Sequence, residues 1–170
     1  MADAPFISVA NLTENSLING NVEGSILKVV IIRQQRLVVR PLLGTSLYKR
    51  LSTGITADDL NADEITLLNE YIAPLLYVCC DRAAINPTTY QIRNKSTSKG
   101  TDKDFDTVSE SENLRLDNSI RPSITDEQNT LIGYMIDNCE LYPEYNNAEC
   151  SYENRPPSKQ KSKGTNFYLT

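Results

Sequence analysis

The feature that most constrains this chain is an apolar stripe at helical spacing. Ile65, Leu68, Ile72, Leu75, Leu76, Cys79 and Ala83 fall on one face of a helix. Asn61-x-x-Glu64 stands just ahead of the stripe and reads as a capping box, in which each side chain takes up a backbone N–H that the first turn leaves unpaired. Asp63, Glu64 and Glu70 come early, where negative charge complements the helix dipole. Pro74 lies inside the stripe. It removes one ladder bond, so a kink is expected there, with the helix ending near Asn86-Pro87.

A second helical pattern covers residues 22–40. Ile26, Leu27, Val30, Ile31, Leu37 and Val38 share one face, and Lys28, Arg33, Gln35, Arg36 and Arg40 the other. The β-branched run Val29 to Ile32 would also suit a buried strand, but length and the Arg/Gln spacing favour helix. A helix leaves Val29, Ile32 and Val39 among the charges, which marks that face as a candidate partner surface. Pro41-Leu42-Leu43-Gly44 is expected to end it. Thr45 is placed to cap a short helix from Ser46 to Leu51, followed by a loop from Ser52 to Leu60.

Elsewhere the pattern is weaker. Residues 1–21 read as an extended N-terminal arm, with Phe6 to Val9 suited to a strand and Asn11 to Asn21 polar and turn-rich. Thr88 to Arg93 alternates like a strand, Ser96 to Lys103 reads as a polar turn and Phe105 to Val108 as the returning arm, giving a β-hairpin over about 88–108. Tyr90, Ile92 and Phe105 are its apolar positions. Such a hairpin is marginal alone and is expected to pack on something else. Arg121-Pro122 is expected to break whatever runs through 109–124. Thr125-x-x-Gln128 then opens a helix with Leu131, Ile132, Met135 and Ile136 on one face. From Asn146 the chain turns polar and rich in Pro, Lys and Ser, an extended C-terminal tail that ends in the apolar tip Phe167-Tyr168-Leu169. The fold class expected is therefore mainly α: one helical domain over 22–145, an arm at 1–21 and a tail at 146–170.

Several chemistries are disfavoured. The chain has no His, the commonest general base, and no Gly-rich phosphate loop. Asp102 to Asp106 resembles a calcium loop only loosely, since neither the turn Gly nor the distal Glu falls in register. Asp81-Arg82 reads either as a buried pair or as a surface one. Cys79, Cys80, Cys139 and Cys150 contain no Cys-x-x-Cys, so a zinc site is disfavoured, and Cys79 and Cys139 read as small core residues in a reducing cytoplasm. The reading is of no enzyme, no cofactor and no metal. The longest apolar run, Val29 to Ile32, is far short of the ~20 residues of a membrane span, and the N-terminus lacks the pattern of a signal peptide.

Charge is unevenly placed. Net charge is −5, yet residues 103–153 hold twelve acidic side chains against three basic ones, and residues 154–170 hold four basic and no acidic ones. An acidic body argues against tight nucleic-acid binding, which needs clustered Lys and Arg, but suits a wall past which a duplex slides. Nine Tyr against three Phe suits half-buried interfaces.

Taken in order, several pieces resemble a known family. Gln35-Arg36 comes near the end of the first helix, followed by Pro41-Leu42-Leu43-Gly44-x-x-Leu47-Tyr48-x-x-Leu51. Then come Tyr71-Ile72-Ala73-Pro74-Leu75, Ile92-Arg93-Asn94-Lys95, Tyr134-x-x-x-Asn138 and Tyr142-Pro143-Glu144-Tyr145. Over about residues 7–146 the chain resembles the head-to-tail connector (head-completion adaptor) proteins of tailed bacteriophages. It is closest to those of Bacteroidetes phages, including the ring proteins of crAss-like phages. The resemblance implies a small antiparallel helical bundle with a protruding β-hairpin and extended arms. It implies a structural virion protein of the neck, made in the host cytoplasm and assembled as a homo-oligomeric, typically dodecameric ring. Its partners would be the portal protein above and further connector or tail proteins below, with genomic DNA only passing through the channel and no membrane. The acidic segment would line that channel. Val29, Ile32, Val39, Tyr90, Ile92, Phe105, Phe167, Tyr168 and Leu169 are then the candidate subunit and portal contacts. Pro122 departs from the family pattern, which has one long helix before Pro-Glu-Tyr, and the tail is longer than a minimal adaptor needs. The alternative is a monomeric helical module that captures one partner through its C-terminal tail.

Overall fold

A computed structural model describes residues 3–18, 22–93, 96–99 and 110–145, with side chains described outside 84–93, 96–99 and 110–113. The protein is mainly helical. In chain order it runs α1 (Val9–Asn15), α2 (Gly24–Gln34), a π-helical turn (Gln35–Val39), α3 (Arg40–Ala57), α4 (Ala62–Thr66), a second π-helical turn (Leu67–Ile72) and α5 (Ala73–Thr89). Strands β1 (Tyr90–Arg93) and β2 (Ser96–Lys99), helix α6 (Glu110–Asp137) and a 3₁₀ turn (Cys139–Leu141) complete it. Helix α5 is central, packed against α2 and against α6.

The two π turns share one cause. Each ends two residues before a proline, the first at Val39 ahead of Pro41 and the second at Ile72 ahead of Pro74. Proline cannot donate to the ladder, and its ring crowds the carbonyl four residues back. The wider turn answers this: Arg40 N donates to Gln35 O and Ala73 N to Leu68 O, each five residues back. Pro74 therefore comes with a π bulge immediately upstream, and the helical run passes through Pro41.

The bulge also sets what is buried. Leu27, Ile31, Gln35, Val39 and Leu43 recur every fourth residue, and all are at most 1% exposed. A step of four overshoots a full α turn by about 40°, so this series would drift ~160° round a straight helix. One extra residue in the π turn takes back ~100° of it. Hence Val39, expected outside, is buried, whereas Leu37, expected inside, is exposed. Gln35, expected on the polar face, lies wholly in the core.

The break falls at Gly44, with φ 77° and ψ 164°, a region almost closed to other residues. The helix after it runs on to Ala57, six residues past the expected end. Asp58 closes it in the left-handed conformation, and Asp59 N donates to Gly54 O at 3.1 Å. A Cβ on Gly54 would stand 2.5 Å from Leu60 Cδ2, so the missing side chain is what lets the chain fold back there. The expected loop thus shrinks to the few residues before Asn61. There the capping box forms as read: Glu64 N donates to Asn61 Oδ1 at 2.8 Å, and Asn61 N to Glu64 Oε2 at 2.9 Å.

Further expectations are corrected. Residues 3–18 are no loose arm. Ser8 caps α1, with Asn11 N donating to Ser8 Oγ at 3.0 Å, and Phe6, Ile7, Leu12 and Ile18 enter the core. Pro122 does not break α6, which is continuous over 28 residues. Pro122 and Asn118, whose carbonyl loses its donor, are both exposed, so water can take the vacant bond. Thr125 opens no new helix; its hydroxyl donates to Arg121 O within α6. Strands β1 and β2 pair antiparallel, Tyr90 opposite Lys99 and Arg93 opposite Ser96, so the partner strand lies in the segment read as the turn. The expected return arm, Phe105 to Val108, lies outside the described residues, as do Asp102 to Asp106, Cys150 and the tail.

Replacing Gly44 by Ala should cost about 1–3 kcal/mol in chemical denaturation. A Cβ there meets nothing within 4 Å, so the whole loss would come from the backbone angle.

Candidate functional site

The outer face of α2 carries an apolar groove, of about 620 Å³, closed on one side by the N-terminal residues. Val29, Ile32 and Leu37 line it from the helix and Pro5 from the N-terminal segment. Lys28, Arg33, Arg36 and Asp3 form the rim. Val29 is 68% and Leu37 60% exposed.

The wall of this groove is held by a buried amide. Gln35 Oε1 accepts from Phe6 N at 2.9 Å, and Gln35 Nε2 donates to Ala4 O at 2.8 Å and to Tyr48 Oη at 3.0 Å. The side chain thus pairs with the main chain on both sides of Pro5, as a neighbouring strand would, and every polar atom of the amide is satisfied. Tyr48 Oη donates to Asp3 Oδ2 at 3.0 Å, and Arg36 Nε donates to the same oxygen at 2.6 Å. Phe6 packs on the Tyr48 ring with centroids 5.2 Å apart. Arg36 beside Asp3 holds that carboxyl below the usual range, and burial pushes the Tyr48 hydroxyl up.

The far end of the same segment is tied down by Asp81. Its carboxylate accepts from Leu17 N at 3.0 Å and also bonds Ser16 and Ile18. Burial raises the Asp81 pKa despite these bonds. Asp81 and Arg82 are thus no pair: Arg82 reaches across to Asp117 on α6, which Arg121 also contacts.

A second junction joins α6 to α4. The Tyr71 and Tyr134 rings stack with centroids 3.8 Å apart, and Tyr134 and Tyr142 share a hydrogen bond of 2.9 Å between their hydroxyls. Tyr142 Oη also donates to Asp63 O at 2.8 Å, and burial drives its pKa far upward, so it stays a neutral donor. Arg50 neutralises the buried Glu64 at 2.8 Å and bonds Asp59 at 2.9 Å.

Of the sequence-predicted contact residues, Val29 and Ile32 line the groove. Val39 does not; it is buried, and Leu37 stands in its place. Tyr90 and Ile92 lie on β1, where only the backbone is described. Phe105, Phe167, Tyr168 and Leu169 lie outside the described residues. Sequence reasoning missed Leu37, Pro5 and the role of Gln35. The available signal was the strict four-residue step from Leu27 to Leu43. Cys79 and Cys80 are buried, their thiols pushed up to about 11 and about 12, and Cys139 donates to Ile136 O. Among the described residues no His/Cys/Asp/Glu group could hold a metal ion, and no helix is long and apolar enough to cross a membrane.

Fold and site together define a mainly helical protein with an apolar groove on the outer face of α2. Residues 39–155 match the family described as a family of unknown function, DUF6712, and the chain belongs to it. The groove residues, 3–37, lie ahead of the matched span. No curated protein and no solved structure matches the chain.

Two outcomes are expected. Val39→Ala should destabilise by about 2 kcal/mol, whereas Val29→Ala should stay within ~0.5 kcal/mol of wild type by urea denaturation. Asp3 should add to the acid sensitivity of stability. Its pKa is lowered by folding, so its contribution is complete above the usual carboxylate range and is lost as pH falls through the folded value. The stability gap between wild type and Asp3→Asn, measured by urea denaturation from pH 7 down to pH 3, should narrow towards acid.

Proposed function

We propose that this chain is a structural virion protein: the subunit of a ring, dodecameric by resemblance, that extends the portal channel and joins a phage head to its tail. The observation that carries this reading is the α2 groove, an apolar surface with a cationic rim left open on a well-packed helical body. The motif pieces behind the resemblance have matching structural work. Gln35-Arg36 and Tyr48 hold the N-terminal segment, and Tyr134 and Tyr142 join α6 to α4. The departure at Pro122 disappears, since α6 is the single long helix that the resemblance expects before Tyr142-Pro143-Glu144-Tyr145.

In this reading the body is a small antiparallel bundle, the β1–β2 region protrudes towards neighbours, and the tail from Asn146 clasps an adjacent ring. The portal lies above, further connector or tail proteins below, and DNA passes through the centre. The protein acts in the virion neck after synthesis in the host cytoplasm, and it catalyses nothing.

Native mass spectrometry of the full chain, alone and mixed with the portal ring of the same phage, tests the proposal. Loading in the stoichiometry of the portal is expected. A monomer that ignores the portal and the neighbouring tail proteins would sink the reading and leave the tail-mediated module as the better account.

A further inference from the structure

Building on the ring reading, we infer that copies of this chain join head to tail, the α2 groove of one receiving an acidic apolar patch at the Asp63–Tyr142 junction of the next.

The two surfaces are complementary. In the groove, the exposed Val29 and Leu37 are flanked by Lys28 and Arg33, neither of which forms an ion pair among the described residues. At the junction, the Tyr142–Asp63 hydrogen bond ties the 3₁₀ turn to α4. Within two residues on either side of that bond stand Ile65 and Leu141, each 45% exposed. Asp63, two residues before Ile65, and Asp137 and Glu140, four residues and one residue before Leu141, are exposed as well. The groove thus offers apolar side chains with Lys28 and Arg33 beside them, the patch apolar side chains with carboxylates, and these charges are opposite in sign.

Position and charge together choose the mode of pairing. Helix α5 packs on both α2, which carries the groove, and α6, whose end adjoins the patch, so groove and patch belong to different elements. Groove against groove would set Lys28 and Arg33 against their own copies, and patch against patch would oppose carboxylates to carboxylates. Groove against patch removes both conflicts. Contact between two different surfaces repeats from copy to copy and closes into a ring where the rotation allows.

Charge reversal on the full chain tests this. One variant carries Lys28→Glu with Arg33→Glu, the other Asp63→Lys with Asp137→Lys, and a thermal melt checks that each folds. Self-association is followed by native mass spectrometry and sedimentation, with and without the portal ring. Each variant alone should associate at least about tenfold more weakly than wild type. An equimolar mixture should regain wild-type assembly, because alternating copies again oppose unlike charges. Wild-type rings that form regardless of these changes, or variants that stay apart when mixed, would overturn the pairing and leave the ring reading standing. Loss of assembly on deleting residues 155–170 but not on charge reversal would overturn it in favour of the tail as the joining element. Open filaments with the expected charge rescue would keep the pairing and overturn the ring. A wild-type chain that never self-associates, alone or on the portal, would overturn both.

Discussion

Pro41 has no N–H to give, and the first half of the structure follows from how the chain accommodates that. The helix widens into a π turn just upstream, and the extra residue turns Val39 inward and Leu37 outward, while Gln35 at the head of the turn stays in register with the buried Leu27 and Ile31. Once inside, the Gln35 amide needs partners, since an unmet buried polar group costs about 1–3 kcal/mol. It finds them on the main chain of Ala4 and Phe6 and on the Tyr48 hydroxyl. The N-terminal segment is therefore fixed beside α2, and Pro5 becomes one wall of the groove. Backbone chemistry at Pro41 and a buried amide at the head of the same turn thus act together on the shape of the surface.

The second half relies on junctions between distant parts of the chain. Arg82 bridges α5 to Asp117 of α6, Arg50 satisfies the buried Glu64, and the Tyr71, Tyr134 and Tyr142 cluster locks the end of α6 onto α4. These are contacts in which a polar group on an aromatic or charged side chain meets a specific partner, so they fix relative position as well as adding apolar burial. They also leave the surface beside them well defined, with Ile65 and Leu141 held at the rim instead of drawn into the core.

The buried polar groups of this protein are taken up in its packing. Its buried thiols are held neutral, and its strongest charge pairs are spent on joining elements. What it presents outward is apolar area with charge around it, mainly cationic at the groove and acidic at the Asp63–Tyr142 junction. Surfaces of that kind set which face meets which, because the apolar part supplies attraction and the charges exclude wrong pairings. That logic suits a subunit whose task is to occupy a defined place in an assembly.

The sequence by itself determined the helical class, the capping box at Asn61 and Glu64, the core stripe from Leu68 to Cys79 and the break at Gly44. Each depends on local periodicity or on the stereochemistry of one residue, which neighbours in sequence suffice to reveal. Ile65, at the head of that stripe, is the exception, exposed where the first turn overhangs the core. Only the tertiary structure decided that residues 3–18 pack instead of trailing, that Pro122 leaves α6 whole and that Leu37 and not Val39 faces outward. Asn11 to Asn21 reads as polar and turn-rich because the anchor of this stretch, Asp81, lies more than sixty residues from Leu17. Pro122 reads as a breaker unless its carbonyl partner is known to face water. A π turn adds one residue to a helix without leaving a mark in composition, and it moves every later side chain by about 100°.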